Sequence, residues 1–143
     1  MGIENAARKP VPVPDASSAE FWKGAAQHKL MIQQCGYCKV LAHPPAIVCR
    51  NCLNTAPDWR FTEVSGKGRI STWTIFRQSF LPGFSNDVPY VVVEVELVEQ
   101  QGLKMITQLV GAADAPLRLG ADVHVVFDDV QESLSLPRFT LSH

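Results

Sequence analysis

Apolar residues along this chain recur at two different spacings, and the change between them divides it. From Trp59 onward the period is two, the signature of strands with one face in a core. In 90–99, Val91, Val93, Val95 and Leu97 share one face while Glu94 and Glu96 lie opposite. In 122–128, Val123, Val125 and Phe127 point inward, with His124 and Asp128 outward. The same reading places strands over 59–64, 68–76, 103–110 and 136–141, most bounded by Gly, Pro, Asp or Asn. Gln100-Gln101-Gly102 is a hairpin turn, and Gly66 and Gly68 mark a barrel corner or bulge. Five or six short strands with no long helix among them predict a small closed barrel of OB type.

Before Trp59 the pattern is shorter and mixed. Phe21, Trp22 and Ala25 give one apolar face to a helix over 18–27, with Gly24 weakening it. Ser17 as N-cap and Glu20 three residues on form a capping box. So short a helix does not stand alone in water, so its aromatic pair docks on this domain or on another chain. Leu30–Gln34 reads as a strand. Pro10, Pro12 and Pro14 favour an extended leader over 1–17. The expected organisation is a leader (1–17), a docking helix with a metal ribbon (18–58) and an OB-fold barrel (59–143).

The candidate chemistry sits between the helix and the barrel. Cys35-Gly-Tyr-Cys38 and Cys49-Arg-Asn-Cys52 are two C-x2-C turns separated by ten residues, and they hold all four cysteines of the chain. Each such turn aims two thiolates at one point, so Cys35, Cys38, Cys49 and Cys52 form a tetrahedral ligand set. Four sulfurs fill a four-coordinate shell and leave no place for water or substrate, the pattern of a structural site. Zinc is the favoured ion, and iron takes the same thiolates in rubredoxin. A disulfide pair is the weaker reading for a chain without a secretory N-terminus, and a redox C-x-x-C lacks its βαβ context. His43 lies between the turns, but with the shell filled it reads as structural or exposed. The stiff crossing His43–Val48 carries Pro44 and Pro45.

Composition narrows the function. With 46% hydrophobic and 19% charged residues the chain is globular, not disordered. A formal charge of −1 without basic runs counts against a phosphate-backbone partner. No apolar segment approaches a membrane span, and a cytoplasmic location is expected. No Ser-His-Asp motif, P-loop or dinucleotide glycine pattern occurs. His28, His43, His124 and His143 form no metal spacing, and Asp128 and Asp129, adjacent on a strand, read as solvated charge. If the four thiols hold a metal, no cysteine remains as a nucleophile. One loop, Ser79–Pro89, is unusually apolar with Phe80, Leu81 and Phe84. Either these side chains cap the barrel, or they form a ligand or partner surface.

The order of these pieces resembles a known family. A helix with Phe21-Trp22, the double C-x2-C ribbon with Pro44-Pro45, Ser65-Gly-Lys-Gly68 before Ser71-Thr-Trp-Thr74, Pro89-Tyr90, Val110-Gly111 and Leu136-Pro-Arg-Phe139 are similar to the zinc-ribbon plus OB-fold family catalogued as domain of unknown function thirty-five. The likeness covers roughly residues 18–141. It implies a mainly β fold: a short helix, a rubredoxin-like zinc ribbon and a five-stranded OB-fold barrel. It also implies a non-catalytic accessory subunit of an acyl-CoA complex, with structural Zn²⁺ on Cys35, Cys38, Cys49 and Cys52 and a CoA thioester at the subunit interface. The expected partner is a thiolase or thiolase-like enzyme of lipid or aromatic acid metabolism, which supplies the catalytic residues. An aldolase or a MaoC-type enoyl-CoA hydratase is the alternative. Lys39 and Arg50 stand where many ribbons place glycine or proline, and their charge partly offsets a zinc–tetrathiolate centre. Two other classes remain: an OB-fold nucleic-acid module, which needs a basic groove with exposed aromatics, and a stand-alone enzyme, which lacks a catalytic constellation.

Overall fold

The computed structural model describes residues 9–111 and 116–142. The first eight residues of the expected leader and His143 lie outside them. Among the described residues no helix is long and apolar enough to cross a membrane.

The helix α1 (Ala19–Ala26) has Ser18 as its N-cap, one residue later than the expected box, and a turn fastened by Asp15 leads into it. The Asp15 carboxylate accepts from the amides of Ser17 and Ser18 at 3.0 and 2.9 Å and from the Ser17 hydroxyl at 2.8 Å. The Ser18 hydroxyl returns a bond from the Asp15 amide at 3.1 Å. Ser18 is the N-cap residue, without a side-chain cap bond of its own. The carboxylate can accept several donors at once and so fastens the turn that precedes the helix. The Ser17 hydroxyl, first among its donors, holds the Asp15 carboxyl below its usual range. At the other end His28, at φ 59°, closes a Schellman turn: its amide reaches the Ala25 carbonyl, and Lys29 reaches Gly24. Gly24 itself is a close approach, since a Cβ there would lie 2.2 Å from Cγ of Met31.

The helix packs on β1 (Leu30–Gln34) and on the last strand of the chain. β1 is the middle of a three-stranded sheet, flanked by β2 (Leu41–Ala42) and β3 (Arg60–Val64). β1 and β3 pair antiparallel from Leu30↔Val64 to Gln34↔Arg60. The strand expected over 59–64 therefore belongs to the ribbon sheet and not to the barrel. Its period of two gave its state but not its partner.

The barrel has five strands: β4 (Lys67–Phe76), β5 (Tyr90–Leu97), β6 (Lys104–Leu109), β7 (Asp122–Gln131) and β8 (Leu134–Leu141). Their order is β4-β5-β6-β8-β7, closed by pairing of β7 with β4. This is a Greek-key OB barrel, as expected. β4 pairs with β7 through Lys67–Arg69 and with β5 along its length, its register against β5 shifting between Ile70 and Thr72. Gly68 lies where the strands crowd: a Cβ there would stand 2.4 Å from Val95 Cγ1 and 2.7 Å from the Glu96 carbonyl oxygen.

The parallel seam between β6 and β8 is thin. Its ladder pairs only Leu109 with Phe139, and Pro137 has no amide to donate. Side chains complete it. Thr107 donates to the Pro137 carbonyl at 2.7 Å, and Arg138 reaches Gln108 at 2.6 Å and Asp128 at 3.0 Å.

One apolar cluster runs through both parts. Phe21, Leu30 and Ile32 join Ile70, Val93, Val95, Leu97, Val123 and the fully buried Phe139. Two glutamine amides add polar fastenings that periodicity cannot reveal. Gln100, in the β5–β6 turn, accepts from the Leu41 amide and donates to the Leu41 carbonyl on β2, each at 2.8 Å. Gln33, 3% exposed, does the same for Ala46 at 2.8 and 3.0 Å. Each side chain stands in for a strand neighbour. The 79–89 loop divides: Phe84 folds onto Tyr90 at 5.5 Å, whereas Phe80 and Leu81 remain 77% and 54% exposed.

Candidate metal centre

The two cysteine turns repeat one backbone geometry. The Cys35 amide donates to the Val40 carbonyl, and the Lys39 amide donates back to Cys35. Likewise the Cys49 amide donates to Asn54, and the Leu53 amide to Cys49. The residue after each second cysteine turns left-handed, Lys39 at φ 66° and Leu53 at φ 63°. Leu53, not Arg50, is thus the counterpart of Lys39, because Arg50 lies inside its turn. Left-handed backbone at these positions is what favours glycine in such turns.

The turns face each other across the crossing and bring the four Sγ atoms within 4.8 Å of one another. Cys35 and Cys52 are 3.8 Å apart, and Cys38 and Cys49 3.6 Å. A tetrahedron with Zn–S bonds of about 2.3 Å has edges of about 3.8 Å, so the cluster fits such an ion. The outer contacts also suit thiolates. The Tyr37 amide points at Cys35 Sγ (3.4 Å), and the Asn51 side-chain amide at Cys38 Sγ (3.5 Å). Asn51, followed by the Val40 amide, draws the Cys38 thiol down to about 6. Cys52 is pushed up to about 11: a bond from the Asn54 amide favours its thiolate, but burial and the three neighbouring sulfurs outweigh it. A dication resolves that conflict by taking all four as thiolates.

His43 is beside the centre but not in it. Its ring packs 5.2 Å from Phe21, and burial lowers it to about 4, so it is neutral near pH 7. The adjacent aspartates are exposed, as expected, and each also has a partner. Asp128 pairs with Arg138, while Asp129 accepts from the Ser135 hydroxyl and lies 2.7 Å from His28 Nε2. Ser135, first, and His28 hold the Asp129 carboxyl below its usual range. Ser, His and Asp meet here in the wrong order for nucleophilic catalysis, since the hydroxyl donates to the carboxylate and not to the imidazole. The group fastens the helix end to the β7–β8 hairpin. Asn51, Gln33 and Gln100 were missed in the sequence, and no local signal marks a glutamine whose partner is backbone far along the chain.

Known proteins carry the same arrangement. Residues 22–58 match the family described as ChsH2, rubredoxin-like zinc ribbon domain, and residues 61–128 the family described as ChsH2, C-terminal OB-fold domain. A solved structure described as "Ltp2-ChsH2(DUF35) aldolase" superposes with a TM-score of 0.78 at 32% identity, covering 92% of this chain and 98% of that one. Among curated relatives, the "probable enoyl-CoA hydratase alpha subunit" of Thermomonospora curvata is 34% identical over 93% of this chain. The "3-oxo-4,17-pregnadiene-20-carboxyl-CoA hydratase alpha subunit" of Mycobacterium tuberculosis is 28% identical over 82%. This chain spans 40% and 36% of those two proteins' lengths. A "DUF35 domain-containing scaffold protein" of Methanothermobacter thermautotrophicus is 29% identical over 78% of this chain and 81% of its own length. A helix-led double cysteine turn followed by an OB barrel, matched along nearly the whole chain, places this protein in the DUF35 family of ChsH2-type zinc-ribbon and OB-fold proteins.

Proposed function

We propose that this chain is an accessory subunit of an acyl-CoA-processing complex, with structural zinc held by Cys35, Cys38, Cys49 and Cys52. The observation that carries the subunit reading is the match along 98% of a chain in an aldolase assembly described with two components. The hydratase relatives are named as alpha subunits, and the methanogen relative as a scaffold. These names favour an aldolase or hydratase partner over the thiolase expected from the resemblance. The zinc ribbon supplies a rigid platform, because four thiolates close the metal shell and fix both turns. Reacting groups come from the partner, and this chain helps to hold the CoA thioester beside them. A cytoplasmic location fits four thiols kept reduced for metal.

The test is affinity purification of the tagged protein from its native cells, with mass spectrometry and metal analysis. An aldolase or hydratase chain in near-stoichiometric amount, with about one zinc per copy, is expected. A thiolase would restore the other partner class. Purification of this chain alone, or with nucleic acid, would overturn the subunit reading.

A further inference from the structure

The four sulfurs of the metal centre are not equally covered. Cys35 and Cys49 are buried, Cys38 is half-buried and Cys52 is exposed. The first turn is roofed and tied. The Gly36 amide donates to the Pro57 carbonyl at 2.7 Å, and that carbonyl oxygen lies 3.7 Å from Cys35 Sγ. A Cβ on Gly36 would stand 2.6 Å from the Asp58 carbonyl oxygen, so the 57–58 segment rests directly on the turn. The same turn joins β1 to β2, and the Gln34 side chain donates to the Lys39 carbonyl at 3.0 Å. The second turn stands open. Arg50, Asn51, Cys52 and Leu53 are all exposed, and among the described residues no strand adjoins the turn between β2 and β3.

Exposure and thiolate character decide which sulfur an oxidant reaches, and a neighbouring sulfur decides what the product becomes. Cys52 Sγ has Cys35 Sγ at 3.8 Å. A sulfur–sulfur bond is about 2.05 Å long, so the pair must close by about 1.8 Å, and the second turn is the side free to move. Two sulfurs joined to each other no longer donate as thiolates. A metal ion would keep only Cys38 and Cys49, half of a four-coordinate shell.

We propose that Cys52 is a redox modification site: a hydroperoxide oxidises it, Cys35 closes a disulfide with it, and the ribbon gives up its zinc. In the first step the Cys52 thiolate attacks hydrogen peroxide and the O–O bond breaks. One oxygen stays on sulfur as sulfenic acid, and the other leaves as hydroxide, which takes a proton from solvent. In the second step the Cys35 thiolate attacks the sulfenic sulfur. The S–S bond forms, the S–O bond breaks, and hydroxide again leaves as water. The two sulfurs together lose two electrons and the peroxide gains them, while the zinc ion departs unchanged in charge. A dithiol reductant reverses the bond by exchange. The barrel is untouched, since its core is apolar and holds no cysteine. The switch needs only this ligand set, so it stands or falls apart from the subunit reading.

The experiment treats the zinc-loaded full chain with excess hydrogen peroxide and reads released zinc with a chromophoric chelator. Samples are quenched with catalase and denaturing iodoacetamide. Peptide mapping at half release should find Cys35 joined to Cys52, with Cys38 and Cys49 alkylated. Dithiothreitol followed by zinc should restore the loaded chain. Cys52→His replaces the exposed sulfur with a nitrogen that also ligates zinc but forms no disulfide, and peroxide-dependent release should slow roughly tenfold. Cys38→His leaves Cys52 and Cys35 in place and should release at the wild-type rate. The proposal is overturned if the first disulfide lies within one turn or joins Cys38 to Cys49. It is also overturned if zinc stays bound while cysteines oxidise, or if Cys52→His releases zinc as fast as wild type. Should a histidine variant fail to load zinc, the disulfide map of the wild-type chain decides alone.

Discussion

The ribbon and the barrel are built by opposite means. The barrel draws its stability from apolar side chains distant in sequence: Ile70, Val93, Val95, Leu97, Val123 and Phe139 meet only when five strands close. The ribbon has little core beyond the β1 residues it shares with the barrel, and its tip leaves Tyr37, Ile47 and Leu53 outside. What holds that tip is local: two cysteine turns, a buried glutamine and four convergent sulfurs. A region fixed by a few strong bonds can expose apolar surface that a core-built region must bury.

Breaking the metal centre should give the largest effect. Structural zinc is worth about 10–16 kcal/mol of folding energy in isolated finger peptides. Cys49→Ala should lose zinc and the hydrogen-exchange protection of amides in 35–57, while amides of β5 stay protected. Equal loss in both regions would show that the barrel depends on the ribbon. The converse cut is Phe139→Ala, which leaves a cavity at the barrel centre and should cost about 3–5 kcal/mol. Thermal melts should fall sharply while zinc content is retained.

A pH scan sharpens the comparison at the boundary. His43 titrates near 4 in the folded chain because of burial, against an ordinary 6.5. The unfolded chain therefore binds more protons between these values, and stability falls as pH drops from about 6.5 toward 4. The contribution is about 2 kcal/mol once partial solvent access is allowed for. Since the cysteines also protonate in acid, the measurement is the difference between wild type and His43→Asn in denaturant melts at pH 4–7. The variant should lack this share of the slope, and parallel curves would contradict the assignment. The smallest effect belongs to Gln100→Ala, which removes the bonds to Leu41 and should cost about 1 kcal/mol. If ribbon and barrel unfold as one unit, both melt earlier; if the tie is weak, only ribbon amides exchange faster.

Much of the fold was legible in the chain. The alternation of Val91, Val93, Val95 and Leu97 gave β5 and its buried face, and Leu30–Gln34 was found at its observed bounds. Two failures are instructive. The sequence points to a capping box of Ser17 and Glu20, whereas the N-cap is Ser18 without a side-chain bond, because Asp15 takes the Ser17 and Ser18 groups into a turn ahead of the helix. The two-residue β2 was absent from the reading, because Leu41 and Ala42 are too few to show a period. Asp129 is exposed, as the sequence suggests, but its ties to His28 and Ser135 have no local signal, because those partners are respectively remote in sequence and across a hairpin.

The sequence by itself determined the cysteine set, because C-x2-C places two ligands through one local turn. It determined most strand positions too, because a pleated backbone sends alternate side chains to opposite faces. Only the tertiary structure decided that β3 joins the ribbon, that β6 meets β8 in parallel, and that Gln33 and Gln100 replace strand neighbours. The reason is the range of the forces: turn geometry and side-chain period act over a few residues, whereas strand partners and cavity walls are chosen by burial across the whole chain.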